Sequence, residues 1–226
     1  MRTRSLGEGG PEVSVVGLGT NNFGGRIDYD QSLAVIDVYQ MHEPDDRTPI
    51  EETLGALHEL VQEGSVRHLG SSNFSAQQIE EADRVARERG STRFVSAQNH
   101  YSLVERGIED DVLPVCERLG IGMLPYFPLA SGLLTGKYTH GVEAIEGRLA
   151  GREIPEERWS RLEALQRFAG ERGLPLLAVA IGGLRAMPAI ASVIAGATKP
   201  EQVHANVAAG EWEPSPEELE ALKRLR

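Results

Sequence analysis

His42 is the residue whose type and position most clearly suggest chemistry, because it follows a short apolar run and opens the segment His42-Glu-Pro-Asp45. An imidazole can bind a metal, move a proton or orient a carbonyl group. A metal site is disfavoured, because the chain's six histidines form no cluster and no second ligand lies at a suitable spacing. Pro44-Asp45 is typical of a turn. Taken alone, a single histidine at a strand end is more often a packing residue than a catalyst.

A second candidate is an anion site near the carboxyl terminus. The segment Gly196-Ala-Thr-Lys199 leads into a predicted helix that begins at Pro200. Proline favours the first helical turn, and the free N–H groups of a helix N-terminus attract anions. The pattern therefore predicts a local site for a phosphate group.

A repeated unit of one strand and one helix must position these residues. Gly64, Gly90 and Gly120 each end a predicted helix, and each helix follows an apolar run. The predicted strands cover 13–18, 35–41, 66–70, 93–98, 121–127 and 191–194. The predicted helices cover 49–63, 75–89, 105–119, 155–171 and 175–186, and two more begin at 200 and after Ser215. Alternating strands and helices predict a parallel sheet with the helices outside it.

The composition of the 226 residues excludes several classes of function. A hydrophobic content of 40% is sufficient for the core of a single domain over 1–226, and a net charge of −11 argues against a nucleic acid or an anionic membrane as partner. The single cysteine, Cys116, fits a cytoplasmic location. Residues 1–10 lack the apolar segment of a signal peptide, and the most apolar stretch, 173–197, contains Arg185 and two prolines, so no membrane span is expected.

The strand count predicts an α/β fold of the TIM type that is incomplete. A complete (β/α)₈ barrel has eight parallel strands and about 250 residues, whereas this chain provides about six, after the glycine-rich turn of an N-terminal β-hairpin. The shortage can be located, because only residues 29–35 separate the first strand from the strand at Val38. That length is too short for a normal crossover helix.

The motifs of the chain together resemble those of the aldo-keto reductase family. They are Gly17-Leu-Gly-Thr-Asn-Asn-Phe-Gly24, Ile36-Asp-Val-Tyr-Gln-Met-His-Glu-Pro-Asp45, Pro49-Ile-Glu-Glu-Thr-Leu-Gly-Ala-Leu57, Val66-Arg-His-Leu-Gly-Ser-Ser-Asn-Phe74, Ala97-Gln-Asn-His-Tyr-Ser-Leu103, Tyr126-Phe-Pro-Leu-Ala-Ser-Gly-Leu-Leu-Thr-Gly-Lys-Tyr138 and Val193-Ile-Ala-Gly-Ala-Thr-Lys-Pro-Glu-Gln-Val-His-Ala-Asn206. They occur in the family's order and cover almost the whole chain. The resemblance implies a barrel that uses NADP(H) to reduce a small aldehyde or ketone to an alcohol.

The same resemblance implies that catalysis is impaired. Family members carry a long segment with the second and third strands, which supplies an Asp, a Tyr and a Lys of the catalytic tetrad. Here the segment is absent near residues 32–37, and His42 is the tetrad residue that remains. Tyr39 is a poor substitute acid, because alternation along a strand places it on the face opposite His42.

The resemblance also implies a nicotinamide site. Ser72, Asn73 and Gln98 would hydrogen-bond the carboxamide, since hydroxyl and amide groups match a partner that both donates and accepts. Tyr126 would stack on the nicotinamide ring, and Thr20 and Asn21 would complete its surroundings.

The rest of the cofactor falls, by the same resemblance, to two later segments. The loop of Leu129, Ser131, Gly132 and Leu134 would cradle the pyrophosphate with its backbone N–H groups, and Gly132 would permit close approach. Gly196, Thr198 and Lys199 would bind the 2′-phosphate region, and Gln202 and Asn206 the adenine. Many members have Arg at the place of Gln202 and Pro at that of Ala195, so NAD(H) stays open as an alternative.

Two functions therefore remain open: an impaired NADPH-dependent reductase, and a nicotinamide-nucleotide-binding or interaction protein without turnover. The absence of two strands also leaves two alternatives: the six strands reclose with a changed tilt and interior volume, or two strand edges stay open and invite pairing with a second copy of the chain.

Overall fold

The fold was described from a computed structural model, which covers residues 2–18, 36–141 and 149–225. Within these residues the strands are β1 (Thr3–Ser5), β2 (Glu12–Ser14), β3 (Val16–Leu18), β4 (Ile36–Met41), β5 (Val66–Ser72), β6 (Phe94–Gln98), β7 (Gly122–Met123) and β8 (Val193–Ala195). The helices are α1 (Ile50–Gln62), α2 (Ala76–Arg89), α3 (Val112–Leu119), α4 (Glu156–Glu171), α5 (Leu176–Arg185), α6 (Pro200–Ala209) and α7 (Pro216–Arg224), with a 3₁₀ helix at Ala130–Thr135.

Six parallel strands form a four-stranded and a two-stranded ladder, which is the number of parallel strands that the sequence predicts. Strands β4, β5, β6 and β7 are neighbours in that order, and β8 pairs with β3. A parallel bridge from Met123 to Ile190, with a hydrogen bond of 3.2 Å from Ile194 N–H to the Pro125 carbonyl, connects β7 to the β8 side. Within the described ranges no ladder joins β3 to β4. The α/β barrel is therefore incomplete in the part of the chain that the structure describes.

The first two strands form an antiparallel hairpin that covers the amino end of the array. Gly7 in its turn has a φ of +76°, and a Cβ there would overlap the carbonyl oxygens of Val95 and Gly120. Leu6 packs with Leu124 and Ala191 against the inner face. The prediction of one strand over 13–18 was wrong, because the chain passes at Val15 from the hairpin into the parallel array and forms β2 and then β3.

The predicted helix boundaries are confirmed where the sequence carries a local signal. Ser75 and Ser215 both form capping boxes, with Gln78 and Glu218 respectively. Gly90 and Gly120 end α2 and α3 in the left-handed conformation.

Two predicted elements are much shorter than expected. The helix predicted to end at Leu119 begins only at Val112, and the strand predicted over 121–127 is confined to Gly122–Met123. Pro125 and Pro128 lack the N–H groups that would continue the ladder.

The side chains of β4 alternate between the two faces of the sheet, as expected. Gln40 Nε2 donates to Ser96 Oγ at 2.9 Å on the inner face, whereas Tyr39 lies on the opposite face and is 40% exposed.

A buried ion pair fixes the segment before α3 to the end of α7. The Arg106 guanidinium donates to both carboxylate oxygens of Glu109 at 2.7 and 2.9 Å, and to the Leu222 carbonyl at 2.9 Å. The side chains of Arg106 and Glu109 are 4% and 7% exposed. Glu109 also accepts from the Tyr101 hydroxyl at 2.6 Å. The network replaces the helical turns predicted here and satisfies carbonyl groups at the end of α7.

We expect Arg106→Met to lower the free energy of unfolding by about 3–5 kcal/mol, because the buried Glu109 carboxylate would lose its ionic partner. Lys223→Met is the control, since Lys223 pairs with Glu220 at the surface and its loss should cost less than about 0.5 kcal/mol. Urea unfolding measures both values. Equal losses in the two variants would contradict the assignment.

Candidate functional site at the carboxyl edge of the sheet

The carboxyl ends of β4, β5, β6 and β7 meet at one edge and bring several predicted residues together. Ser72, at the end of β5, is 4% exposed and its hydroxyl donates to the Gln98 carbonyl at 2.8 Å. The Asn73 N–H donates to the same carbonyl at 3.0 Å. The Tyr126 hydroxyl donates to Asn73 Oδ1 at 2.8 Å. Four residues predicted for the nicotinamide site therefore form one cluster.

Asn73 connects this cluster to His42. Its Nδ2 donates to the His42 backbone carbonyl at 3.0 Å, and its φ of 61° lies in the left-handed region, which asparagine tolerates better than most residues. His42 itself is exposed. The contact ties the loop after β4 to the end of β5.

An aromatic group surrounds Tyr126. The His100 ring lies parallel to the Tyr126 ring, with the centroids 5.4 Å apart and 9° between the planes. Phe127 meets both rings edge-on and is 44% exposed. Burial, with the nearby Glu43 carboxylate, raises the pKa of Tyr126, so its hydroxyl remains protonated and keeps donating to Asn73 at neutral pH.

His100 is a residue that the sequence reasoning did not select. Burial is the largest effect on its imidazole and lowers the pKa. The Arg158 guanidinium lowers the pKa further, whereas the Glu105 carboxylate partly opposes the shift by raising it. Its position two residues after Gln98, at a strand end, is the sequence signal that could have identified His100. The parallel bridge between His100 and Tyr126 places their side chains next to each other.

The loop after β7 has the backbone of a tight, irregular turn. The N–H groups of Gly132 and Leu134 both donate to the Leu129 carbonyl, at 2.8 and 3.2 Å. Ser131 and Gly132 have φ of 60° and 100°, and Leu134 is fully buried beneath them. Two of the N–H groups predicted to face a pyrophosphate are therefore engaged within the turn.

The segment between β8 and α6 presents a cation and a helix N-terminus. Lys199 is the exposed N-cap residue of α6, and no described residue forms an ion pair with it. Gln202 Oε1 accepts from Thr198 N–H at 2.7 Å and from its hydroxyl at 3.2 Å, which orders the turn. Asn206 is buried and Gly196 exposed. Thr20 and Asn21 lie outside the described residues.

A cavity of about 290 Å³ lies beside the loop that follows His42, between α1 and α2. Met41, Ile50 and Phe74 contribute its apolar lining. Two of its three carboxylates already have partners, since Asp45 accepts from Thr48 at 2.9 Å and Glu81 pairs with Arg84 at 2.7 Å. The cavity contributes no obvious catalytic group to the edge. In the described residues no helix could span a membrane and no metal-binding cluster occurs.

Comparison with known proteins gives a consistent result. Residues 30–226 match the sequence model of the Aldo/keto reductase family. A probable voltage-gated potassium channel subunit beta from Oryza sativa subsp. japonica is 35% identical over 193 residues, which are 81% of this chain and 58% of the relative. The aldo-keto reductase AMT2 from Alternaria alternata is 37% identical over 153 residues, or 66% of this chain and 41% of that one.

Among solved structures, the glycerol dehydrogenase AKR11B4 from Gluconobacter oxydans superposes with a TM-score of 0.71 at 30% identity. The match covers 84% of this chain and 58% of that chain. The chain thus spans less than two thirds of the length of the relatives that it matches.

The lowered pKa of His100 predicts an acid-sensitive contribution to stability. As the pH falls below about 6.5, the ordinary value, the unfolded chain binds a proton at this position before the folded chain does, so the free energy of unfolding decreases. Urea unfolding between about pH 7.5 and 5 should show a shallower loss of stability in His100→Gln than in the original chain. Parallel pH profiles of the two proteins would refute this contribution.

Proposed function

Because the chain belongs to the aldo/keto reductase family, we propose that it is an NADP(H)-linked oxidoreductase that reduces small aldehydes or ketones to alcohols with impaired catalysis. The observation that carries the proposal is the cluster at the carboxyl edge, where Ser72, Asn73 and Tyr126 are hydrogen-bonded beside Gln98. Small-molecule sites of barrel enzymes are built at this edge. The proposed domain covers 1–226, and its proposed location is the cytoplasm.

The residues at this edge fit a nicotinamide nucleotide by their chemistry. The half-buried Gln98 amide makes no hydrogen bond to a described residue, so it can both donate to and accept from a carboxamide. One face of the Tyr126 ring lies parallel to the His100 ring, so a nicotinamide would stack on its other face. When bound, such a cofactor supplies the hydride, and the protein supplies binding and orientation.

The preference for NADP(H) over NAD(H) rests on Lys199. Its ammonium is exposed at the first turn of α6, where the helix N-terminus also favours an anion such as a 2′-phosphate. Ser131, Gly132, Thr198 and the adenine-side pair Gln202 and Asn206 belong to the same proposed cofactor surface.

The proposed impairment concerns proton donation. His42 is the candidate that orients the carbonyl group, whereas the Asp, Tyr and Lys expected from the family resemblance have no counterpart in the sequence. Tyr39 is on the outer face, and Tyr126 has a raised pKa and its hydroxyl donates a hydrogen bond to Asn73 Oδ1. Loss of a general acid alone costs about 10²–10⁴-fold in rate.

A second function is favoured by the same observations: binding of the nucleotide without turnover. The candidate residues that the chain retains are those proposed to bind the nucleotide. A relative with 35% identity is named a probable voltage-gated potassium channel subunit beta. A chain of this kind would respond to the nucleotide as a ligand.

Titration with NADPH, followed by its fluorescence, tests the site. We expect saturable binding with a Kd in about the micromolar range, and about tenfold weaker binding in Gln98→Leu, which loses the free amide. Lys199→Met should weaken the binding of NADPH about tenfold and leave that of NADH unchanged. Lys223→Met, which replaces a surface lysine on α7, should change neither affinity.

Absence of saturable binding to the original chain would reject both functions. Single turnover of bound NADPH with an aromatic aldehyde then separates them, since only the reductase oxidises the cofactor.

The open edges of the sheet support association with a second copy of the chain. Among the described residues β4 pairs with β5 alone and β3 with β8 alone. Tyr39 on β4 is an exposed aromatic residue, and exposed apolar edge strands favour pairing.

Light scattering of the purified chain should therefore show a dimer or larger species. Tyr39→Lys adds a charge to the edge strand and should shift the population toward the monomer. Val203→Lys, at an apolar position of similar exposure on α6, is the control and should leave the mass unchanged. A compact monomer with a cooperative melt would contradict the association.

A further inference from the structure

The cavity of about 290 Å³ between α1 and α2 is distinct from the cluster proposed to bind the nicotinamide. Its walls are the end of β4, the loop that follows and the first turns of the two helices. Met41 lies next to Gln40, so strand alternation places it on the outer face of β4. The four residues of the cluster do not line the cavity; they are Ser72, Asn73, Gln98 and Tyr126. The cavity is therefore a second concave site, which the proposed function does not use.

The apolar lining of this cavity suits one ring. Phe74 is 1% exposed, and Met41 and Ile50 are half-buried. A volume of about 290 Å³ is close to the lower end of the range for pockets that hold small organic molecules. A single aromatic ring with a short substituent would remove these side chains from water, which favours binding.

The polar lining is acidic. It includes the carboxylates of Asp45, Asp46 and Glu81, whereas no Lys, Arg or His is among the described residues that line the cavity. A hydrogen bond from the Arg47 backbone N–H lowers the pKa of Asp45, and the Arg84 guanidinium lowers that of Glu81. Both carboxylates therefore stay ionised at neutral pH.

Asp46 is the carboxylate that remains available to a ligand. It is exposed and makes no hydrogen bond or ion pair with a described residue. The segment 43–52 contains five acidic residues and one arginine. The half positive charge at the N-terminus of α1 is therefore more than offset, so this side of the cavity disfavours an anion and favours a cation.

We propose that the cavity is a binding site for a small organic ammonium ion, a primary amine that carries one ring. The ring packs against Met41, Ile50 and Phe74, and the ammonium group faces the Asp46 carboxylate. An ammonium group has three hydrogens to donate, and the Thr53 hydroxyl is a further acceptor on the lining. An occupied cavity restrains the loop 43–48, because that loop forms one wall. The site goes beyond the proposed function and requires no nucleotide.

Benzylamine is the probe, and benzyl alcohol is its neutral analogue of nearly the same shape. An NMR titration of the labelled chain at neutral pH and low salt should show saturable binding of benzylamine, with a Kd of about 1 mM for a ligand of this size. Benzyl alcohol should bind about threefold more weakly, because it lacks the ion pair with an exposed carboxylate. Benzoate, which carries the opposite charge, should bind least.

Three variants locate the probe. Asp46→Asn keeps the size and removes the charge, so the affinity for benzylamine should fall about threefold, to that of benzyl alcohol, which itself should not change. Thr53→Met places a longer side chain in the cavity and should weaken both probes at least about tenfold. Glu59→Gln removes one charge toward the other end of α1 and is the matched control, with both affinities unchanged.

Hydrogen exchange of the peptide 42–48, measured by mass spectrometry, tests the effect on the loop. Benzylamine at about five times its Kd should slow this exchange, by at most about sixfold from the linkage of binding and opening. Asp46→Asn should show less protection than the original chain at the same concentration.

Several results would overturn the proposal. Absence of saturation up to about 10 mM benzylamine, or equal affinities in the original chain and a folded Thr53→Met, would reject the site. Equal affinities for benzylamine and benzyl alcohol in the original chain would reject the ammonium ligand, and this comparison requires no variant to fold. Because no measurement contains a nucleotide, failure of this site and failure of the proposed function are observed separately.

Discussion

The parallel direction of the strands is the constraint on which the candidate site depends, because parallel strands bring their carboxyl ends to one edge. Ser72, Gln98 and Tyr126 come from three strand-and-helix units, yet short hydrogen bonds through Asn73 connect their segments. Glycines end the helices α2 and α3, which pack outside the sheet and do not enter the edge. The residues of the edge therefore also connect the strand ends on which they lie.

The amino ends of the strands carry no candidate site and are covered by contacts to backbone groups. Gly7 brings the hairpin turn against the carbonyl groups of Val95 and Gly120, and Arg4 donates to the Arg185 and Ile190 carbonyls, both at 2.8 Å. Such contacts resist change, since a side chain at Gly7 would overlap main-chain atoms. They give the incomplete array a fixed base that does not require a closed ring of strands.

Local signals in the sequence were sufficient for much of the fold and for the composition of the site. The capping boxes at Ser75 and Ser215 and the glycine at 120 gave helix ends to within a residue or two, because each acts through its own turn. The division of β2 from β3 and the late start of α3 could not be predicted, since they depend on distant partners: the parallel strand β8 and the carbonyls of α7 that bind Arg106. The stack of His100 on Tyr126 was missed for the same reason.

The residues proposed to bind the nucleotide and those that would donate a proton lie on different segments of the chain, and this decides which properties an incomplete barrel of this family can retain. The groups proposed to bind the nucleotide lie on β5, β6, the loop after β7 and the first turn of α6, all of which the described chain contains. The groups that would tune a proton donor belong, by resemblance, to the two strand-and-helix units that are proposed to be missing. Binding energy and proton transfer are separate contributions to catalysis, so the loss of one does not remove the other. A chain with this distribution of residues is expected to keep affinity for the nucleotide while its rate of carbonyl reduction falls, because the groups proposed to bind the nucleotide are separate from those that would donate the proton.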